Sequence, residues 1–567
     1  MTHPILRTLY LWWLAAILFV LPFGYDTQAY DVLSTKHTLW LAAIAITSTV
    51  ALVYQWLNMR VVWGTFIITL CFIPTWWAGT HFIFWWLPWS QVMCCWWWWC
   101  LLYDTTSKER ASSLPRSLLY AALGSLMGLA AWVYVLKWAP YLQPWQLPPS
   151  RLATVTMGNP NHLGAYFCVG LPLFFAAGRW WIPAAFFVFP ALLMTGSRLS
   201  LLATAAALLL GGCLQLLRRR WLEGLGVICL VGLLFAGSFV LSPQKNLRHL
   251  AGGWGGLSAR KHLLRCAIPM LREHGVRGVG WGRFRQVFPE YRGRCVKGTK
   301  YQRDPQHVVM LNLHNDWLEV ILEGGVIGLL LWLFLLWMGV RHLRQSQLSW
   351  RVKVWLAVVF VALAIQMAGH FPIQLPPVMA LVLFVWVCLA RRRPDYLVST
   401  HMNADIPVFL RWCLLCVWGV MACVQWQSYR AEYVFVKADE ALELGAKGAY
   451  ELLIQSESYF PSVRVLNQKG QWLLRQRRPL EALDAFYQLM KWQPDAQTTV
   501  YMAEAYVQLE QYDEALKILQ RGEALRPGFQ PVVRILKHVK ELLLRRTQKR
   551  TSSPTSKPSS MTKPAKP

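Results

Sequence analysis

Charge is scarce in this chain, and acidic charge is scarcest: of 567 residues only 28 are Asp or Glu, against 57 Lys or Arg. Charged residues make up 15% and hydrophobic ones 55%, with 33 Trp, which excludes an ordinary soluble protein of this length and indicates a polytopic membrane protein. Cysteine offers no metal site, because Cys94, Cys95 and Cys100 lie in an apolar run with no His or carboxylate at ligand spacing. The first apolar run, from Leu9 to Phe23, lacks a small-residue cleavage site and reads as a span, not a removable signal. The glycines from Gly275 to Gly282 resemble a phosphate-cradling loop but lack the Lys-Ser/Thr ending, so a nucleotide site is a weak reading.

What is present is a long series of apolar runs, each able to cross a hydrocarbon layer of about 30 Å. They lie near 8–23, 38–57, 61–79, 82–103, 117–138, 161–178, 180–196, 199–217, 221–241, 317–340, 352–370, 374–390 and 407–426. Basic residues fall in alternate loops: Arg60, then Lys108/Arg110/Arg116, Arg179, Arg218-Arg219-Arg220, Arg341/Arg344/Arg351/Lys353, and Arg391-Arg392-Arg393. Short loops rich in Lys and Arg mark the cytoplasmic side. The expectation is an all-α bundle of about 13 spans with a cytoplasmic N-terminus, an outer loop at 242–313 and an outer C-terminal region. The tryptophan clusters, such as Trp96-Trp97-Trp98-Trp99, read as aromatic belts at the interfaces or as a sugar-stacking platform.

The chain turns from polar loop to hydrocarbon at His314-Asn315-Asp316-Trp317-Leu318-Glu319. On a helix of about 3.6 residues per turn, Asn315, Glu319 and Glu323 share one face. Gly324, Gly325 and Gly328 let a backbone or ligand approach closely there. The loop 242–313 carries fourteen Lys or Arg against three acidic residues, which suits anionic lipid headgroups or a polyphosphate ligand; nucleic acid is an unlikely partner on this face. Asn159 or Asn161 can cap the span that follows Gly158-Asn159-Pro160-Asn161-His162. Arg198 is an isolated cation at an outer membrane boundary, either snorkelling or marking a ligand site.

Arg198-x-x-x-Leu202, then His314-Asn315, nine residues and Gly325-x-x-Gly328, resembles the paired signatures of bacterial O-antigen ligases. Gly158–His162 and Gly278–Phe284 resemble further hallmarks of the superfamily, which includes O-antigen polymerases and O-linked oligosaccharyltransferases; the likeness covers roughly 150–390. It implies transfer of a glycan from undecaprenyl pyrophosphate to an acceptor, lipid A-core or protein, at the periplasmic face of the inner membrane. It further implies that Arg198 and a loop arginine, Arg260 or else Arg265, contact the pyrophosphate, and that His314 is the essential histidine. The aromatic residue expected after the loop arginine is missing in Ser258–Leu264, which leaves that choice open. Arginines can neutralise a departing pyrophosphate, and a neutral imidazole can take the acceptor proton, so no metal or cofactor is expected. Asn315, Glu319 or Glu323 could orient the ring; holding the acceptor without taking its proton is the other role open to His314.

After residue 426 the composition changes. Ala449, Ala482 and Ala515 recur every 33 residues, as do Leu453, Phe486 and Leu519, and Pro461, Pro494 and Pro527. Small residue, bulky residue, then proline resembles tetratricopeptide repeats, which would offer a partner-docking surface or serve only as scaffold. The expected domains are a ligase-like membrane domain at 1–426, repeats at 427–540 and a disordered basic tail at 541–567. Two further functions stay open: a glycan polymerase of the same superfamily, and a non-catalytic membrane scaffold whose repeats recruit partners. Cys266 and Cys295, the two cysteines outside the apolar runs, are expected to form a disulfide in an oxidising compartment.

Overall fold

The structure, a computed structural model, describes residues 4–24, 32–77, 82–106, 113–139, 156–241, 255–299, 312–391, 405–446 and 448–552. Among these the regular elements are helices, with one isolated bridge between Asn58 and Asp405. The chain divides into two compact units, Met1–Val287 with Leu311–Pro461, and Phe288–Met310 with Ser462–Pro567.

The first unit is a polytopic helical membrane bundle. Among the described residues, seven helices are long and apolar enough to cross a membrane: Ile5–Phe23, Ser34–Val53, Arg116–Trp138, Arg198–Leu217, Asp316–Gln345, Trp350–Met367 and Val408–Glu443. Shorter apolar helices cover Arg60–Phe72, Arg179–Thr195, Trp221–Leu233 and Pro376–Ala390. The other expected spans also lie on helices, the shortest of them cut by proline and glycine. The 161–178 stretch is two helices, Pro160–Gly170 and Pro172–Ala177, ended by Gly178 at φ 131°. Proline has no N–H to continue the ladder, so Pro172 starts a new helix instead of extending the old one.

Glycines bring the helices into close contact. A Cβ on Gly211 would sit 2.5 Å from the Trp355 ring, and one on Gly212 would lie 3.2 Å from the Gly224 carbonyl oxygen. Small residues at such crossings replace the hydrophobic drive that lipid removes. The helix beginning at Arg198 is thereby fixed against both Trp221–Leu241 and Trp350–Met367. Trp97 and Trp98 are fully buried, unlike a belt: Trp97 donates to Thr65 Oγ1 at 3.1 Å and Trp98 to the Ala380 carbonyl at 3.2 Å. An indole inside a bundle needs such a partner.

The second unit stacks helices Val463–Arg475, Pro479–Trp492, Ala496–Gln508, Tyr512–Leu525 and Gln530–Ser552. Its periodic positions are core: Ala482, Phe486, Ala515 and Leu519 are fully buried. The boundary falls after Pro461, later than 426, because the helix Val408–Glu443 continues past the apolar run and Ala449–Tyr459 docks on it, Ser456 donating to the Ala431 carbonyl at 2.7 Å. Part of the stretch expected to be a disordered tail is helical, to Ser552. Its Leu, Arg, Lys and Gln are good helix formers, and Arg546 reaches the Glu510 carbonyl at 3.2 Å. The tail beyond Ser552 lies outside the described residues, as does much of the 242–313 loop. Cys266 and Cys295 are disulfide-bonded.

Candidate active site

The site forms where three segments of the first unit meet: residues 312–326, the first turn of Pro160–Gly170, and the turn 368–374. Asn315 starts the Asp316–Gln345 helix as its cap, the side-chain oxygen accepting from Leu318 N at 2.9 Å. Its amide also donates to the Ala368 carbonyl at 3.2 Å. Asp316 and Glu319 occupy the first turn, where the helix dipole favours negative charge. Both are buried, and both act as acceptors for backbone. Asp316 Oδ2 takes the Ile373 N–H at 3.1 Å, and Glu319 Oε2 takes the Leu313 N–H at 2.7 Å. Asn312 completes the stitch by donating to Gln374 Oε1 at 2.6 Å.

His314 sits between these fastenings with φ 56°, the left-handed region that a non-glycine residue enters at a cost. Its half-buried ring lies 5.4 Å from the ring of Phe371. Phe371 also packs on His370 at 4.4 Å and on His162 at 5.5 Å, and the two histidines stack on each other at 5.3 Å. His162 Nδ1 donates to the Met157 carbonyl at 3.3 Å.

The glycines after Glu323 do more than pack. Gly325 has φ 59° and ψ −139°, so the helix breaks there inside an apolar segment. A break leaves backbone groups that water cannot satisfy in lipid. The loop after His274 satisfies them: Val279 N donates to the Leu322 carbonyl at 2.9 Å, Gly280 N to the Glu323 carbonyl at 3.0 Å, and Val326 N donates to the Val276 carbonyl at 3.0 Å. A Cβ on Gly278 or Gly325 would collide with the opposing backbone, and one on Gly324 would lie 2.6 Å from Trp281. Glu323 Oε1 fastens the far end of the loop by accepting from Phe284 N at 3.0 Å. Burial lowers the Arg285 guanidinium from its ordinary value, while the carboxylates of Glu323 and Glu319 raise it.

The expected residues divide accordingly. Asn315, Glu319 and Glu323 surround His314 in sequence and tie it to the neighbouring turn and loop. Asn159 caps its own helix by accepting from Asn161 N at 2.8 Å, and both asparagines are half-buried. Arg198 is the first residue of its helix and is exposed, and Arg265 is exposed on Gly255–His274; neither pairs with a carboxylate among the described residues. Arg260 lies in that same helix, its side chain outside the described residues. Ser197 and Ser200 crowd Gly164, where a Cβ would lie within 2.9 Å of both, so the start of the Arg198 helix packs on the helix that carries His162.

Sequence reasoning missed His162, His370, Phe371, Asp316 and Arg285. The signal for His162 was inside a segment read for its caps and as a family hallmark, without a role for the histidine. His370 and Phe371 occupy a short turn between two apolar runs that nothing in composition singles out.

Residues 183–333 match the family model described as O-Antigen ligase, and residues 473–537 match the Tetratricopeptide repeat. No curated protein matches the chain. The first match spans Arg198, Arg260, Arg265, His314, Asn315, Glu319 and Glu323, and stops short of Asn159, Asn161, His162 and the 368–374 turn. The chain is thus a multi-pass membrane protein in which one stretch matches the O-antigen ligase family model, which supports a glycan-transferring role of ligase or polymerase type, and another matches a C-terminal repeat.

Proposed function

We propose that the protein transfers a glycan from an undecaprenyl-pyrophosphate carrier to an acceptor hydroxyl, on lipid A-core or protein, at the periplasmic face of the inner membrane. The observation that carries this reading is His314, held in a strained backbone conformation at the entrance of an apolar helix within the ligase-matched stretch. The acceptor oxygen attacks the anomeric carbon while the bond to the phosphate oxygen breaks. The electron pair stays on the pyrophosphate, and the hydroxyl proton passes to the His314 imidazole. Arg198, with Arg260 or Arg265, meets the charge left on the phosphate. A single displacement inverts the anomeric centre.

Two features support an outward-facing site. The basic turns gather at the other ends of the same helices: Arg351 pairs with Glu223 at 3.0 Å, and Arg218 lies over the Trp350 ring at 4.4 Å. The Phe288–Val296 part of the loop shares a unit with the repeats, Gly293 lying against the Ala524 carbonyl. Reporter fusions at residue 393 are expected to report cytoplasm and those at residue 440 the outer compartment. The reverse pattern would remove the repeats from any outer acceptor.

The assay that tests the function supplies purified protein with a defined lipid-linked oligosaccharide and a panel of acceptors. A capped lipid A-core or glycoprotein supports the ligase reading. A ladder of lengthening chains makes it a polymerase, and no transfer to any acceptor, carrier included, returns it to a scaffold.

A further inference from the structure

We propose that Phe371 is a positioning residue for His314, and that His162 and His370 clamp its ring in place. The inference rests on the glycan-transfer reading, because it assigns a task to residues beside the proposed base.

His314 meets a ring from outside its own segment. Its backbone is left-handed, and its ring lies 5.4 Å from that of Phe371. The two segments are fastened on both sides of this contact. Asn312 bonds Gln374, Asn315 bonds the Ala368 carbonyl, and Asp316 bonds the Ile373 N–H. These bonds flank His314 on one strand of chain and Phe371 on the other, so the rings are brought together by backbone, not by chance packing.

Phe371 has two further ring neighbours. His370 lies 4.4 Å away at an interplanar angle of 49°, and His162 approaches edge-on at 5.5 Å and 72°. The two imidazoles stack at 23° to each other, and both are buried. His162 is itself held from behind by the Met157 carbonyl. Thr156, one residue earlier, donates to the Pro22 carbonyl at 2.7 Å, which anchors that segment to the first helical hairpin. Phe371 therefore has three ring neighbours and little freedom to tilt. A base displaced by about 1 Å loses on the order of a hundredfold in rate, so fixing this plane acts on turnover more than on binding.

The test compares ring-keeping with ring-removing variants in the transfer assay. Phe371→Leu and His370→Leu are expected to lower kcat about 30- to 100-fold with KM changed less than about threefold. Phe371→Tyr and His370→Phe, which keep a flat ring, should stay within about fivefold of wild type. A thermal melt in detergent confirms that each variant is folded, and His314→Ala run alongside separates the two ideas. If His314→Ala is inactive while the folded leucine variants keep wild-type kcat, the clamp is wrong and the reading of the site survives. If His370→Phe falls as far as His370→Leu, stacking is not what His370 supplies and the clamp is again overturned. If His314→Ala retains transfer, the underlying reading fails first. Should the leucine variants not fold, the ring-keeping variants still decide: a hundredfold loss in folded Phe371→Tyr contradicts the clamp.

Discussion

Replacing His314 with alanine is expected to lower glycan transfer by at least about a thousandfold, the upper range for removing a general base. The protein should remain folded and membrane-inserted. The fastenings around His314 do not use its side chain: Asn315 keeps its cap, Glu319 keeps the Leu313 N–H, and Asp316 keeps the Ile373 N–H. Alanine must adopt the same φ 56°, which histidine enters somewhat more readily, so a small loss of stability accompanies the change. Arg198→Ala should fall by about 100- to 1000-fold through loss of charge stabilisation. Because Arg198 is exposed and pairs with no carboxylate among the described residues, its loss should leave stability nearly untouched. Glycan profiles from cells carrying either variant, read beside membrane abundance, check both statements. Wild-type profiles from His314→Ala would end its assignment as base.

The second large effect is structural. Gly325→Ala forces a side chain into a left-handed position and into the Val276 carbonyl. The conformational part alone costs about 1–2 kcal/mol, and the collision must then push the loop off the broken helix. That movement would release the bonds from Val279 and Gly280 and expose unsatisfied carbonyls at Leu322 and Glu323. Gly278→Ala meets the other face of the same contact, against the Glu323 carbonyl. Both variants should lose transfer almost completely and become sensitive to protease within the 275–283 loop. Gly226→Ala, where the added carbon meets nothing within 4 Å, is the matched control and should behave as wild type. Equal protease resistance in all three would show that the loop is not held by this seam.

The sequence made the class plain because hydropathy acts through composition, which needs no knowledge of contacts. The repeats were equally plain: a 33-residue period survives in Ala482, Phe486, Ala515 and Leu519, and those are the residues that became buried. His314 and the three glycines stand out in the sequence because a polar-to-apolar boundary and a family resemblance coincide there. What stayed hidden depends on contacts far apart in the chain. Glu323 looked like a group to orient an imidazole, yet its oxygen holds Phe284 N, 39 positions away. The break at Gly325 looked like a packing glycine, since only the loop that repairs it reveals the break. His162 and Phe371 are more than two hundred residues apart, and no local pattern announces that they meet. The Trp96–Trp99 run misled for a related reason: belt and core tryptophans look alike until the neighbours of Trp97 and Trp98 are known.

Glycan transfer by His314 is tested most directly by one measurement, the release of undecaprenyl pyrophosphate in a single turnover by purified protein with EDTA present. Lipid-linked glycan is mixed with the chosen acceptor, and free carrier pyrophosphate and glycosylated acceptor are followed together. Wild-type protein is predicted to form the two in equal amounts with the anomeric configuration inverted, and His314→Ala to form neither. Carrier release without acceptor glycosylation, retained configuration, or equal rates from wild type and His314→Ala would contradict it.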